Sequence, residues 1–215
     1  MIHLLNLDFV DSDRAINNLT TNPPQIIGLY FGSFDPFHNG HMEVLEVMLN
    51  YVDIILITTA DKNSEKPLLS LSKHRAQMIQ NHLSQFSIPA YFIRNDLITT
   101  INKLQSSFHL CGIMGSDVYL KFISQNRIPR MKVDEWFIIP RADSNNRFDD
   151  DYPIVKCEPF NKTTTLLNKS LFKKQGFSST QIRNALKIGK LNNLPLSELN
   201  IRYIKDHKLY GISNM

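Results

Sequence analysis

Two histidines, His38 and His41, stand in the segment Gly32-Ser33-Phe34-Asp35-Pro36-Phe37-His38-Asn39-Gly40-His41. An imidazole N–H can meet negative charge as it develops on a phosphoryl group. Two glycines and a proline in the same stretch favour a turn. The apolar run at residues 26–31 precedes it and reads as a buried strand. Residues 42–49 follow, with apolar positions at helical spacing. A strand-to-helix turn offers backbone N–H groups and the positive end of a helix dipole, which together suit a phosphate.

Elements elsewhere in the chain must hold that turn. Residues 51–59, 108–115 and 135–139 read as buried strands, and 89–93 as a short one. Helical patterns run over 72–86, capped by Ser70 or Ser72, and over 97–104 and 117–124. Two more follow: 178–186, capped by Ser178 and stopped by Gly189, and 199–207. Strands alternating with helices imply an α/β fold, a Rossmann-like doubly wound parallel sheet with helices on both faces in a single domain. Ligands of such sheets bind at the carboxyl ends of strands, which is where His38 and His41 fall. Residues 1–25 end in the break Pro23-Pro24. They read as an N-terminal extension, an added strand or helix packed outside a domain of residues 26–215. Residues 141–152 are polar, with Asp149-Asp150-Asp151, and read as a solvated loop.

The segment 32–41 resembles the first motif of the HxGH nucleotidyltransferase superfamily, Gly-x-Phe-Asp-Pro-x-His-x-Gly-His. Far downstream, Phe177-Ser178-Ser179-Thr180-Gln181-Ile182-Arg183 resembles its second, Ile-Ser-Ser-Thr-x-Ile-Arg. The resemblance reaches from Ile26 to Tyr210 and is strongest at these two motifs. It implies attack by an acceptor phosphate on the α-phosphorus of ATP, with release of pyrophosphate. Gly32, Ser33, Phe34, His38, Gly40 and His41 would then line the triphosphate. Ser178, Ser179 and Thr180 would meet its β- and γ-phosphates at a second helix N-terminus, with Arg183 one turn further on. Mg²⁺ would travel with the triphosphate, without a protein metal site.

Within the superfamily the nicotinate-nucleotide adenylyltransferases are most similar. Their Pro-His-Lys segment precedes an Arg-x-x-Met helix, and here Lys66 stands nine residues before Arg75, with Met78 following. Ser64-Glu65 replace Pro-His, and Lys62 is a rival cation. Gly115-Ser116-Asp117 resembles the branch's Gly-x-Asp, so Gly115 and Asp117 would face the nucleotide. The ending Tyr203-Ile204 to Leu209-Tyr210 resembles that branch's Tyr-Ile-x-x-x-x-Leu-Tyr and reads as packing.

The departures fall on the acceptor side. The branch opens its third helix with Ser-Tyr-Thr, where this chain has Asn95-Asp96-Leu97. The branch also stacks a Trp on the pyridine ring, and residues 122–129 contain none. The only Trp, Trp136, lies in a strand and reads as core. Asp96 and Leu97, with Tyr119 and Phe122 as flat surfaces, are the acceptor-binding candidates. Nicotinate mononucleotide is the expected acceptor, which would place the protein in NAD biosynthesis. The alternatives are nicotinamide mononucleotide, phosphopantetheine, CTP as donor, or a non-catalytic nucleotide-binding protein. Phosphopantetheine enzymes usually carry Thr where His38 stands, and retention of His41 and Arg183 speaks against loss of catalysis.

Composition is compatible with this reading. The 215 residues carry a formal charge of +4, which suits anionic small molecules and is too weak to argue for nucleic acid. Two cysteines, Cys111 and Cys157, suggest neither a disulfide framework nor a zinc site, so a cytoplasmic setting is expected. No apolar run has the length of a membrane span, and the N-terminus lacks the features of a signal peptide.

Overall fold

Six strands form one parallel sheet among the described residues: β1 (Ile26–Gly32), β2 (Ile54–Thr59), β3 (Ala90–Phe92), β4 (His109–Gly115), β5 (Glu135–Ile139) and β6 (Thr163–Leu166). Their order is β3-β2-β1-β4-β5-β6, with every pairing parallel. The computed structural model describes residues 2–59, 70–125, 132–140, 163–172 and 178–212. The alternating α/β reading therefore holds, and β1 lies between β2 and β4 where the chain reverses its direction of travel across the sheet. Asp149, Asp150, Asp151 and Cys157 lie outside the described residues.

Helices α3 (Asn39–Met48), α4 (Ser72–Leu83), α5 (Leu97–Leu104) and α6 (Ser116–Ser124) connect the strands. One sheet face carries Leu29, Leu56, Met114 and Trp136 and packs on Ile101 and Leu104 of α5 and Tyr119 of α6. The other carries Tyr30, Ile55, Ile57, Ile113 and Phe137 and packs on Leu45 and Met48 of α3 and Ile79 of α4. Strands covered on both faces must be apolar throughout, which is why their runs are continuous rather than alternating. Trp136 is 1% exposed and lies on Gly112. A Cβ there would stand 2.4 Å from the indole, so the close approach requires glycine.

Residues 2–25 do more than decorate the outside. They form α1 (Ile2–Leu5) and α2 (Ser12–Thr21), and Leu4, Leu7, Phe9, Ala15 and Leu19 are buried in the first core. Phe9 bridges Ile93 antiparallel, and Val10 N donates to Phe92 O at 3.1 Å. The outer edge of β3 is thereby partly covered. A third apolar cluster joins Met78 of α4 to α7 (Ser179–Lys187) and α8 (Glu198–Asp206) through Ile182, Leu186 and Ile204.

Local spacing names Ser70 or Ser72 as the cap of α4, but Leu71 holds the N-cap position and makes no side-chain cap bond. Ser70 is drawn away because its N–H and hydroxyl both donate to the Asp35 carboxylate.

Candidate active site

The chain leaves β1 at Gly32 and enters α3 at Asn39. Between them Phe34 adopts a left-handed backbone, φ 47°, and the Asp35–Pro36 peptide is cis. The Phe34 and Phe37 rings turn inward and are 3% and 0% exposed. They pack against His41, with ring centroids 5.1 and 5.2 Å away. Apolar burial of these two rings anchors a turn that is otherwise polar.

His38 is the N-cap of α3, and its Nδ1 accepts from Gly40 N at 3.1 Å. His41 Nδ1 accepts from His38 N at 3.3 Å. A ring nitrogen that accepts a backbone N–H carries no proton. Both neutral imidazoles are therefore held in the tautomer with the proton on Nε2. Their rings lie 3.8 Å apart between centroids. Gly40 fits beneath them, since a Cβ there would stand 3.0 Å from His38 Cε1.

The second motif meets the first. Ser178 caps α7: its hydroxyl accepts from Gln181 N at 3.3 Å, and Gln181 Oε1 accepts from Ser178 N at 2.7 Å. Ser179 Oγ donates to Pro36 O at 3.2 Å. Arg183 donates from Nη1 to Asp35 O at 2.6 Å and from Nη2 to Thr180 Oγ1 at 3.0 Å. Two segments about 145 residues apart are thus tied side by side, the Arg183 contact alone spanning 148 positions. The Ser179 and Thr180 hydroxyls serve that junction. A phosphate would then meet the amide end of α7 together with the guanidinium of Arg183.

Further side chains fasten the same turn. Arg75, wholly buried, donates to Ser33 O and Ser70 O, each at 3.0 Å. Asn200 Nδ2 reaches Phe37 O at 3.4 Å and Met78 O at 2.9 Å. Asn39 N donates to Pro195 O at 2.8 Å. Sequence reasoning uses Arg75 only to set the Arg-x-x-Met register and passes over Asn200. That register is the signal for Arg75, which stands near the start of α4.

The acceptor candidates sit at the ends of β3 and β4. Asp96 caps α5, with Oδ1 accepting from Thr99 N at 3.0 Å and Oδ2 from Thr99 Oγ1 at 2.6 Å. The Thr99 hydroxyl holds its carboxyl below the usual range, so it stays charged. Leu97 and Phe122 pack partly buried against the first core. Tyr119 is 4% exposed and belongs to that core, so it offers no open stacking face. Gly115 ends β4 and Asp117 stands exposed in the first turn of α6. Lys66 and Lys62 lie outside the described residues. His109, Cys111 and Glu135 bring three ligand atoms within 4.8 Å of one another. They lie at the amino ends of β4 and β5, away from the motifs, and the Cys111 thiol is pushed up to about 12, first by burial.

A cytidylyltransferase-like family model matches residues 29–185. Over 60 residues the chain is 37% identical to a phosphopantetheine adenylyltransferase of Desulforamulus reducens, a match covering 28% of this chain and 37% of that protein. Over 202 residues it is 24% identical to a protein of Christiangramia forsetii named "Probable nicotinate-nucleotide adenylyltransferase", covering 86% of this chain and 97% of that one. In structure it is similar to Plasmodium falciparum nicotinic acid mononucleotide adenylyltransferase complexed with NaAD. There the TM-score is 0.68 at 20% identity, over 88% of this chain and 98% of the other, and the likeness is one of fold.

Proposed function

The chain belongs to the cytidylyltransferase-like family, and on that premise we propose that it is an adenylyltransferase joining ATP to nicotinate mononucleotide. The observation that carries the reading is the junction of the two motifs, where Arg183 and Ser179 reach the carbonyls of Asp35 and Pro36. An acceptor phosphate oxygen attacks the α-phosphorus, the bond to the β-phosphate oxygen breaks, and pyrophosphate leaves. The acceptor is already anionic at neutral pH and needs no activated side chain. What the protein supplies is alignment of two polyanions and donors for the charge that builds on the α-phosphoryl oxygens.

In this reading the Nε2–H groups of His38 and His41 meet that charge. The amide end of α7 and Arg183 hold the β- and γ-phosphates, with Gly32, Ser33, Phe34, Gly115 and Asp117 around the nucleotide. Lys66 is assigned to the triphosphate as a further cation. Magnesium enters as part of the substrate, MgATP. Asp35, the one acid of the 32–41 turn, is engaged by Ser70 and Tyr210, which fits a metal that arrives on the phosphates. A cytoplasmic role in pyridine dinucleotide synthesis belongs to the same proposal.

A second reading has its own support. The charged Asp96 carboxylate occupies the start of α5, where an acidic pyridine would otherwise place its own carboxylate. That favours the uncharged amide, nicotinamide mononucleotide. Pyrophosphate release should be measured with ATP or CTP against the acid mononucleotide, the amide mononucleotide and phosphopantetheine. Turnover on the acid mononucleotide with ATP supports the assignment, turnover on the amide alone moves it to the second reading, and turnover on phosphopantetheine alone removes both and keeps nucleotidyl transfer.

A further inference from the structure

The C-terminal 3-10 turn, Leu209–Gly211, holds a contact that phosphate binding by itself does not require. Tyr210 has φ 61°, and Lys208 just before the turn has φ 49°. Left-handed backbone at two bulky residues persists only where the surroundings over-determine it. Here it aims the Tyr210 hydroxyl at the turn of the first motif, where Oη donates to Asp35 Oδ1 at 2.5 Å. Burial and then the Asp35 charge push the phenol well above its ordinary range, so it remains a donor.

Asp35 is 1% exposed and is met from three distant segments. Its carboxylate takes Tyr210 from the C-terminus and the Ser70 N–H, at 3.1 Å, and hydroxyl from the approach to α4. Its backbone carbonyl takes Arg183 of α7. A backbone shift at Asp35 would move the carbonyl that orients the guanidinium. The resemblance reads Tyr210 as packing, but its hydroxyl ends on the residue that holds the second motif's arginine.

We propose that Tyr210 is a positioning residue: it fixes Asp35 and, through the Asp35 carbonyl, sets the Arg183 guanidinium for the triphosphate. The inference rests on the reading of Arg183 as a triphosphate ligand. Its test uses the full chain with MgATP as the probe, titrated by calorimetry in the absence of acceptor. Four proteins are compared: the unaltered chain, Tyr210→Phe, Arg183→Ala and the double variant. Tyr210→Phe keeps the ring and removes only the hydroxyl. It is expected to weaken MgATP by about 5- to 10-fold, the size of one ordinary intramolecular hydrogen bond. In the Arg183→Ala background the same change is expected to have no further effect, because coupled residues are not additive. The Michaelis constant for the acceptor should stay within about twofold.

A fall in melting temperature with unchanged MgATP affinity would make Tyr210 a packing residue and overturn the proposal. Equal losses in both backgrounds would show that it acts apart from Arg183, which also overturns it. Pyrophosphate release by the unaltered chain with nicotinate mononucleotide, run in parallel, tests the reaction separately. Its failure with the coupled pattern intact removes the acceptor and leaves the positioning role standing. Absence of MgATP affinity in the unaltered chain removes both.

Discussion

The proposed phosphate side and the proposed acceptor side of this molecule are built differently. Around the 33–37 turn, four backbone carbonyls are each met by a side chain from elsewhere: Ser33 by Arg75, Asp35 by Arg183, Pro36 by Ser179 and Phe37 by Asn200. Those partners come from α4, α7 and α8. At the start of α5 the bonds are mostly local, with Asp96 meeting Thr99 and Thr100 of its own helix. A turn fixed by three distant helices tolerates little change, because each tie constrains the others. A helix start fixed by its own cap can vary residue by residue. That is how one fold can keep a triphosphate site while changing its acceptor.

The largest expected effect breaks the phosphate side. His41→Ala should lower turnover by about 10²-fold or more, as loss of one oxyanion-type donor does, with a much smaller change in ATP binding. Steady-state kinetics beside an ATP titration checks it, and near-normal turnover would remove His41 from the mechanism. Gly40→Ala should follow at about 10- to 10²-fold, because its Cβ would press on the His38 ring at 3.0 Å. Unchanged turnover in that variant would show that the imidazole has room to move.

A third effect reaches the turn from beneath. His82 is 1% exposed, lies 5.3 Å from the Phe37 ring and has Nδ1 without a partner. Burial lowers its pKa from 6.5 to about 4. The unfolded chain then binds the extra proton first as pH falls. Stability from this group is whole above pH 6.5 and is lost between pH 6.5 and about 4, by up to about 3 kcal/mol. Urea unfolding at steps of pH should show that slope in the native chain and lose most of it in His82→Leu. The same slope in both would place the acid sensitivity elsewhere.

The smallest effect sharpens the acceptor side. Asp96→Asn should keep the cap, cost about 1 kcal/mol or less in stability, and shift the preference between the two pyridine mononucleotides toward the acid. An unchanged acid-to-amide ratio would take Asp96 out of acceptor recognition.

Much of this architecture is visible in local pattern. The apolar runs at 108–115 and 135–139 become β4 and β5 almost to the residue, and the pattern at 97–104 is α5. Buried parallel strands and amphipathic helices carry their signature within a few neighbours. What local pattern misses depends on partners far along the chain. Ser70 has the look of a helix cap, yet its bonds go to Asp35, 35 residues away. Tyr119 has the look of a stacking surface, yet its place on α6 turns it into the core. Strand β6, Thr163–Leu166, is short and rich in threonine and shows no apolar run to find it by.

The most direct test of the account is one reaction. ATP, magnesium and nicotinate mononucleotide are incubated with the unaltered chain and with His41→Ala, and pyrophosphate and dinucleotide are measured together. The account predicts equal amounts of the two products from the unaltered chain and a fall of about 10²-fold or more in the variant. Pyrophosphate formed at the same rate by both proteins would contradict it.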